Sequence, residues 1–488
     1  MPYLTLLLLL PISGAVVITL LPGRNPLLIR RVALLFSVAA LAWAWALLAL
    51  FDSSVAGMQL TELVPWNPRL GTSYALGIDG ISYPMVLLAT LLSLIAVIAS
   101  TSIKERVKGY YLLLLLLESA MLGVFMAQDW SLFYLFWELT LIPLFFLIDR
   151  WGGAGRNIAS LNFVLYTMGG SVFLLLSLLV VFDSTAGHSF AMASMNEGAA
   201  GLPGDLQVLI FLGFLVGFGV KMPIFPLHGW LPLAHVQAPS PVSILLSGVL
   251  LKMGSYGLIR VSGMLPEAVV ILQGFLAAIA LFSLVYGGLL AWRQSDLKAM
   301  IAYSSISHMG VVLLGIAALN SAGISGAVMQ MVAHGLVAGG LFLLIGLLYE
   351  RTGTRDINHY SSLVQVTPRF AFFTTFAFMA TVSLPGTAGF IAELHVLIGG
   401  FDRWGGFAVL LTLGVLISAA YAIRTVGKLF TGPVRSEMRH IEDLRFSEMA
   451  AAGVLAAAVL LLGIVPAPAL ELMSASVNLF ADQFSARF

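Results

Sequence analysis

The chain contains no cysteine and little charge of either sign. Only 10% of its 488 residues are Asp, Glu, Lys or Arg, whereas soluble domains have about 25%. Without cysteine, the chain can form neither disulfides nor cysteine-ligated iron–sulfur clusters. A net charge of +1, with no acidic or basic tail, gives no indication of nucleic-acid binding. The low charge argues against an ordinary soluble domain.

Long hydrophobic segments dominate the chain, which is 60% hydrophobic and has a mean hydropathy of +1.00. Because a spanning helix needs about 20 apolar residues, we predict an all-α polytopic membrane protein, a single integral membrane domain over residues 1–488. The fourteen predicted spans lie near residues 3–21, 28–50, 80–102, 109–127, 131–148, 159–182, 206–230, 239–262, 267–291, 296–318, 324–349, 367–396, 404–428 and 447–466. The first segment lacks a basic flank and a small-residue cleavage site, so we interpret it as a retained helix rather than a signal peptide.

Lysine and arginine are distributed unequally between the two sides of this predicted topology. The side that holds the N-terminus has four of them, namely Arg69, Arg260, Arg403 and Arg487. The loops and ends of the opposite side have 18, among them Lys104 and Lys298. Because cytoplasmic loops carry the excess of positive charge, we predict that both termini are periplasmic. The predicted location is the bacterial cytoplasmic (inner) membrane.

Two of the predicted spans are interrupted by proline and glycine. Span 7 reads GFGVKMPIFP, with Pro223 and Pro226, and span 12 reads SLPGTAGF, with Pro385 and Gly386. Proline removes a backbone donor, and irregular backbone inside a bilayer is tolerated only where it is buried in protein or lines a wet cavity. These interruptions therefore predict broken helices close to a functional site.

The two interrupted spans are five helices apart, which suggests two inverted five-helix repeats. The first repeat would be spans 4–8 (residues 109–262) and the second spans 9–13 (residues 267–428). Spans 1–3 would precede them within residues 1–103, and span 14 with a tail would follow in residues 447–488.

Ionisable residues lie at membrane depth in several spans. Lys221, in LIFLGFLVGFGVKMPIFP, and Lys252, in PVSILLSGVLLKMGSYGLI, are the most unusual of them. A lysine at the centre of a spanning helix costs about 2.5–3.5 kcal/mol on insertion scales, and such residues usually belong to ion or proton paths. The other predicted members of a proton path are Glu138, His308, His334 and Glu393, with Glu118, His228 and His235 as secondary candidates.

The chemistry of this set suits proton transfer. Burial favours the neutral form of a lysine, whereas a nearby carboxylate favours the charged form. We therefore predict that Lys221 alternates between two states according to its distance from Glu138. His308 and His334 suit intermediate carriers because histidine titrates near neutral pH, and Glu393 would be the last carrier before one aqueous face. A purely structural Glu–Lys clamp between helices is the alternative interpretation.

The sequence gives little support for a bound metal or cofactor. No two histidines have the i, i+4 spacing of a helical metal site, and no GxxxxGK[ST] phosphate loop is present. Ligation of a b haem by His308 and His334 is an alternative, but both lie in polar surroundings rich in serine or glycine. We expect no cofactor in this chain.

Six segments carry a resemblance to a known family: LGIDGIS, FYLFWELTLIPLFF, KMPIFPLHGWLPLAHVQAPSPVSILLSGVLLKMGSYGLIR, QSDLKAMIAYSSISHMG, MVAHGLVAGGLF and LPGTAGFIAEL. Over essentially its whole length the chain resembles the antiporter-like membrane subunits of respiratory complex I, the proton-pumping NADH:quinone oxidoreductase, and most closely their M type. The resemblance implies fourteen helices in two inverted bundles. It also implies that Glu138, Lys221, Lys252 and Glu393 lie on the family's proton-path positions, with His308 and His334 as its central relay.

The resemblance also implies where the remaining chemistry lies. NADH, FMN, iron–sulfur clusters and quinone would be bound by partner subunits, and neighbouring antiporter-like subunits in the lipid bilayer would contact this chain. One departure is Leu233, since relatives often have LPDAH where this chain has LPLAH. Proton entry near His235 is therefore not carried over from the family.

The predicted function is thus proton translocation driven by electron transfer to quinone in other subunits of an NADH:quinone oxidoreductase. Related chains also occur in multi-subunit cation/proton antiporters and in membrane-bound hydrogenases, and these remain alternatives. A membrane scaffold without transport is a third possibility.

Overall fold

The computed structural model describes residues 2–485, and almost all of its regular structure is helical. The helices are α1 Tyr3–Leu20, α2 Pro26–Ala46, α3 Tyr83–Ala99, α4 Val107–Met126, α5 Trp130–Leu139, α6 Leu141–Trp151, α7 Arg156–Asp183, α8 Met192–Ala200, α9 Gly204–Lys221, α10 Trp230–Gln237, α11 Ser240–Leu245, α12 Leu251–Met264, α13 Pro266–Arg293, α14 Leu297–Ala318, α15 Ser321–Thr352, α16 Leu363–Val366, α17 Pro368–Thr381, α18 Ala388–Trp404, α19 Thr412–Phe430, α20 Phe446–Ile464 and α21 Ala467–Ser485. The strands β1 Gln59–Asn67 and β2 Thr72–Ile78 form an antiparallel hairpin.

Thirteen stretches of the described chain are long and apolar enough to cross a membrane. The prediction of a helical polytopic membrane protein is therefore confirmed. One span fewer is found than the fourteen predicted, and the difference arises at predicted spans 12 and 13. There α17 has only 14 residues, while α18 and α19 are joined by a 3-10 turn into one continuous stretch, Ala388–Phe430.

The elements that were not predicted include the β1–β2 hairpin, α8 and α21. The predicted C-terminal tail folds as α21 and packs over the turn that precedes α3, where the Gly80 amide donates to Ser476 Oγ (2.9 Å). Arg487, which enters the predicted charge asymmetry, lies outside the described residues.

The helix breaks at the two proline–glycine segments lie where the sequence predicts them. α9 ends at Lys221, and α10 begins only at Trp230, whose indole donates to the Val220 carbonyl (2.8 Å). The second break separates α17 from α18 and contains Gly386, whose φ of +94° favours glycine. The inverted relation of the two five-helix groups remains a prediction.

Two further distortions lie in spans that the sequence indicates are continuous. The helical span after Asp129 is interrupted at Thr140, between α5 and α6. Between α11 and α12 the chain forms a π-helix, Leu246–Leu250. Because π-helical turns are frequent at functional sites, this second distortion indicates a functional site near the start of α12.

The most deeply buried helices occupy the centre of the molecule. In the most apolar 18 residues of Ser240–Met264 and of Ser321–Thr352, 100% of the residues are buried inside the protein. In Leu297–Ala318 the share is 94%. The corresponding share for α20 is only 22%. The interior is therefore built from α11, α12, α14 and α15, which carry Lys252, His308 and His334.

A buried ion pair joins the turn before α3 to the last turn of α12. Arg260 Nη2 lies 2.7 Å from Asp79 Oδ1, which also accepts from the amides of Ile81 (3.1 Å) and Ser82 (2.9 Å). Burial alone would raise the pKa of Asp79, but Arg260 and these hydrogen bonds lower it below its usual value. The pair therefore stays charged and connects two distant parts of the chain.

Candidate proton path

The best-defined contact of the buried charges joins α12 to α15. Lys252 Nζ lies 2.7 Å from His334 Nδ1 and donates to the Ser247 carbonyl (2.6 Å). Ser247 belongs to the π-helix, whose widened turn directs this carbonyl towards the lysine. The distortion before α12 therefore provides an acceptor for an ammonium group that is fully buried.

His334 is followed by a second histidine and a carboxylate. The rings of His334 and His308 are 5.4 Å apart between centroids, and Gln330 Nε2 lies 3.2 Å from His308 Nδ1. Glu393 Oε1, on α18, lies 3.8 Å from the same nitrogen. Lys252, His334, His308 and Glu393 thus form one continuous row across α12, α15, α14 and α18.

A small cavity of about 20 Å³, enough for about one water molecule, lies beside this row, between α14, α15 and the break before α18. Its polar lining includes Ser304, Thr381 and Ser383 together with both histidines. Polar cavities of sufficient size hold water, whereas apolar ones stay dry. The break in span 12 therefore opens a polar space next to the predicted relay.

Lys221 lies at the opposite end of the candidate path, at the break in span 7. Its amine donates to the Trp137 carbonyl (3.2 Å) and to Thr140 Oγ1 (3.0 Å), and it lies 3.9 Å from the centre of the Trp137 ring. Glu138 is next to Trp137 but forms no ion pair with Lys221, and its Oε1 has no hydrogen-bond partner. The structure therefore holds the predicted pair beyond ion-pair contact, a separated state in which Glu138 still acts electrostatically on Lys221.

A close helix crossing connects the two lysine regions. At Gly254 of α12, an added Cβ would stand 2.6 Å from the Phe218 carbonyl oxygen of α9. The two backbones can approach this closely only because residue 254 has no side chain. Aromatic rings fill the neighbouring space, and Phe133 contacts both Phe218 and Tyr256.

His235 and a lysine that the sequence analysis missed lie on the other side of Lys252. Both ring nitrogens of His235 are buried without a hydrogen-bond partner, and its ring stacks on Phe342 at 4.4 Å. Lys298 and Lys252 both interact electrostatically with His235. The amine of Lys298 donates to the Ala238 carbonyl (2.8 Å). His235 therefore lies close to two lysines rather than to solvent.

Lys298, which the predicted topology places at the end of a span, is buried: α14 begins at Leu297, and Lys298 is only 2% exposed. Asp296, which precedes Leu297, caps the helix by accepting from the Lys298 and Ala299 amides. The helix start turns the lysine inwards. The sequence signal that could have revealed it is the pattern DLK at the start of an apolar helix, with the acid as N-cap.

The remaining secondary candidates lie apart from the row. His228, in the break of span 7, packs between Phe225 and Tyr286 with ring centroids at 5.8 Å and 5.3 Å. Glu118 is buried between α4 and α2, where Ser37 donates to its Oε2 (3.1 Å) and its Oε1 has no partner. Neither side chain contacts Lys221, Lys252 or the two relay histidines.

This separation predicts that Glu118→Gln will leave proton pumping of the assembled complex within about twofold of the wild type. Glutamine keeps the shape of the buried glutamate, and its side-chain oxygen can still accept from Ser37, so the hydrogen bond between α2 and α4 is kept. NADH-driven acidification of membrane vesicles measures the effect. A loss of pumping with normal assembly would place Glu118 in the path.

Two family models match consecutive parts of the chain. The family described as NADH:quinone oxidoreductase/Mrp antiporter, transmembrane, matches residues 127–418. The amino-terminal family of NADH-ubiquinone oxidoreductase chain 4 matches residues 27–126. The chain belongs to the NADH:quinone oxidoreductase/Mrp antiporter family. All the residues of the row lie within the first match, and Glu118 lies within the second.

Individual members of the family are similar over nearly their whole length. The chain is 43% identical to NAD(P)H-quinone oxidoreductase chain 4 2 of Thermosynechococcus vestitus, covering 90% of this chain and 83% of that protein. It is 39% identical to NADH-quinone oxidoreductase subunit M of Rhodobacter capsulatus, covering 99% and 97%. In respiratory complex I from Thermus thermophilus, one chain matches with a TM-score of 0.90 at 32% identity, covering 99% of this chain and 100% of that one. The predicted resemblance to the M-type subunits is confirmed.

Residues 2–485 contain no group of three or more His, Asp or Glu side chains placed to hold a metal ion. The two relay histidines instead face each other, Gln330 and the Lys252 amine. Because the Lys252 amine occupies His334 Nδ1, only Nε2 of His334 lacks a partner. The observed contacts form a row of titratable side chains.

Proposed function

We propose that this chain is a proton-translocating membrane subunit of an NADH:quinone oxidoreductase and has no redox centre of its own. One observation carries the proposal, namely the unbroken row Lys252–His334–His308–Glu393 in the buried centre of a chain of this family. Proton transfer requires carriers within hydrogen-bond reach or joined by water. Lys252 and His334 meet that requirement directly, and both histidines line the adjacent cavity, where water would bridge them. His308 Nδ1 lies 3.8 Å from Glu393, so a small shift or a water would complete the last step.

The row allows a proton to move without the lysine leaving its site. In the proposed sequence, the Lys252 ammonium transfers a proton to His334 Nδ1 and remains anchored to the Ser247 carbonyl as a neutral amine. Water in the cavity then bridges His334 to His308, and Glu393 accepts the proton from His308. Each transfer moves charge between groups that are already in place, so little reorganisation accompanies it.

Lys221 and Glu138 form the proposed switch. In the separated state, the Lys221 amine is held by a carbonyl and a hydroxyl, which accept hydrogen bonds but supply no negative charge. Approach of the Glu138 carboxylate would stabilise the ammonium form, and its withdrawal would release a proton towards Lys252. Electron transfer in partner subunits would drive this approach through the neighbouring membrane subunits.

Lys298 and His235 offer an entry route for protons. Lys298 lies at the start of α14, towards the end of the bundle where arginine and lysine are concentrated, and it interacts with His235. His235 in turn interacts with Lys252 and His334. Leu233, which is 47% exposed, contributes no titratable group. We therefore propose that Lys298 replaces an acidic residue at position 233 as the first carrier.

The main alternative is a subunit of a cation/proton antiporter or of a membrane-bound hydrogenase. The family name covers quinone oxidoreductases and Mrp antiporters alike. The two named relatives described above, both quinone oxidoreductase chains, match over at least 83% of their length. This length match favours the oxidoreductase.

Purification with native partners tests the proposal. An affinity tag is placed on the full chain, the native membranes are solubilised in mild detergent, and the co-purifying chains are identified by mass spectrometry. We expect NADH-oxidising and quinone-binding subunits together with related antiporter-like chains. An unrelated tagged polytopic protein is the control. Recovery of only a small set of antiporter chains, with no NADH oxidation in the sample, would favour the alternative.

A further inference from the structure

An apolar groove of about 630 Å³ opens on the outer surface of the bundle. Its floor is α3, including Leu91, Leu94 and Ile98, and its walls are α2 and α20, which both pack against α3. Only 28% of the residues in the most apolar 18-residue stretch of the α2 span, and 22% of those in the α20 span, are buried. These two helices therefore direct most of their surface outwards. The groove therefore faces the surroundings of the bundle rather than its interior.

One end of the groove is basic and has no acidic partner. Arg30 Nη2 donates to the carbonyls of Thr101 (2.9 Å) and Ile103 (2.7 Å), while its Nε is buried without a hydrogen-bond partner. Arg31 is exposed beside it and forms no ion pair within residues 2–485. No Asp or Glu is among the groove-lining residues. A negatively charged group is the complement of this end.

The length of the groove matches one leaflet of a bilayer. Arg31 and Leu41 both line it and are ten residues apart on α2, which corresponds to about 15 Å at the α-helical rise. The hydrocarbon core of a bilayer is about 30 Å thick, so half of it is about 15 Å. The groove thus begins at a basic rim and ends near the middle of the membrane.

We propose that the groove binds an anionic diacyl phospholipid, with its phosphate at Arg30 and Arg31 and one acyl chain along α3. Such a lipid complements three features of the groove: its headgroup fits the basic rim, its acyl chain fits the apolar walls, and the length of that chain fits a groove that spans one leaflet. Basic pockets between membrane helices are known to hold anionic headgroups. The bound lipid bridges the two walls, α2 and α20, across the groove between them. This site is separate from the proton path and does not depend on it.

Native mass spectrometry of the purified full chain tests the proposal. The chain is reconstituted into vesicles of phosphatidylethanolamine and phosphatidylglycerol, extracted, and analysed for retained lipid. We expect phosphatidylglycerol to be enriched over phosphatidylethanolamine in the wild type. Arg31→Gln should weaken its retention about fivefold, because one basic residue near an anionic headgroup contributes about that factor. Ala450→Phe, which fills the groove, should remove it.

Matched controls distinguish this site from general lipid binding. Arg24→Gln changes an exposed arginine that does not line the groove, and Ala457→Phe adds the same bulk to an exposed position of α20 outside it. Both should retain phosphatidylglycerol as the wild type does. Equal retention of both lipids, or unchanged retention in Arg31→Gln, would overturn the proposal. Purification of the complex with tagged Ala450→Phe adds a further test: loss of a partner subunit there, with lipid retained by the variant chain, would also overturn the proposal, since the occupant would then be protein.

Discussion

Replacing Lys252 by methionine is expected to reduce NADH-driven proton pumping of the assembled complex about a hundredfold or more, in line with the loss of a positioned proton-transfer group. Methionine preserves the length and apolar stem of the lysine, so packing in the buried centre should survive. The change removes the only carrier that contacts both the Ser247 carbonyl and His334. Acidification of vesicles containing the complex, followed with a pH-sensitive dye, measures the effect.

Lys104→Met is the matched control, because Lys104 lies exposed in the loop before α4 and contacts none of the carriers. It should pump as the wild type does. NADH oxidation by the intact complex should fall together with pumping in Lys252→Met if electron transfer and proton transfer are coupled. Full pumping by Lys252→Met with normal subunit content would show that the row is a structural clamp.

Asp79→Ala is expected to destabilise the chain by about 3–5 kcal/mol, the cost of leaving one member of a buried ion pair without its partner. The Arg260 guanidinium would remain buried beside Tyr256 with no counter-charge. The amides of Ile81 and Ser82 would also lose their acceptor. The free energy of unfolding, measured by denaturant titration of the detergent-solubilised chain, should show the loss.

Removing both charges separates the ion pair from other effects of the substitution. Asp79→Ala with Arg260→Met should recover part of the lost stability, because no charge is then buried alone. The recovery should be incomplete, since two backbone amides still lack an acceptor, which costs about 1–3 kcal/mol each. Equal stability of Asp79→Ala and the wild type would show that the pair contributes nothing to the fold.

The helical membrane fold and the positions of the buried carriers could be predicted because their signals are local. A membrane span is recognised from about 20 consecutive apolar residues, and a lysine inside one stands out without any knowledge of its neighbours. The breaks after Lys221 and before Glu393 could be predicted for the same reason, since proline and glycine lie within them.

The contacts between carriers could not be predicted, because they depend on which helices meet. The π-helix before Lys252 has no proline, so the acceptor formed by the Ser247 carbonyl appears only in three dimensions. Burial of Lys298 likewise follows from the packing of its helix against the chain near Ala238. The β1–β2 hairpin could not be predicted from apolar spans, because its strands are short and partly exposed.

The separated state of Glu138 and Lys221 could not be predicted either. A sequence indicates that a carboxylate and an amine share a region, but their distance depends on helix orientation. In this structure Thr140 and the Trp137 carbonyl hold the amine instead. The proposed switch therefore requires Glu138 to move between two positions, and the structure shows the one in which it is separated from Lys221.

The most direct test of the account is the protonation state of the two buried lysines during turnover. Isotope-labelled lysine in the complex, embedded in bilayers, distinguishes the ammonium from the neutral amine by solid-state nuclear magnetic resonance. We predict that Lys221 and Lys252 each show both forms, in proportions that change between the resting complex and the complex oxidising NADH. A single unchanging form of both side chains, at rest and under turnover, would contradict proton transfer through this row.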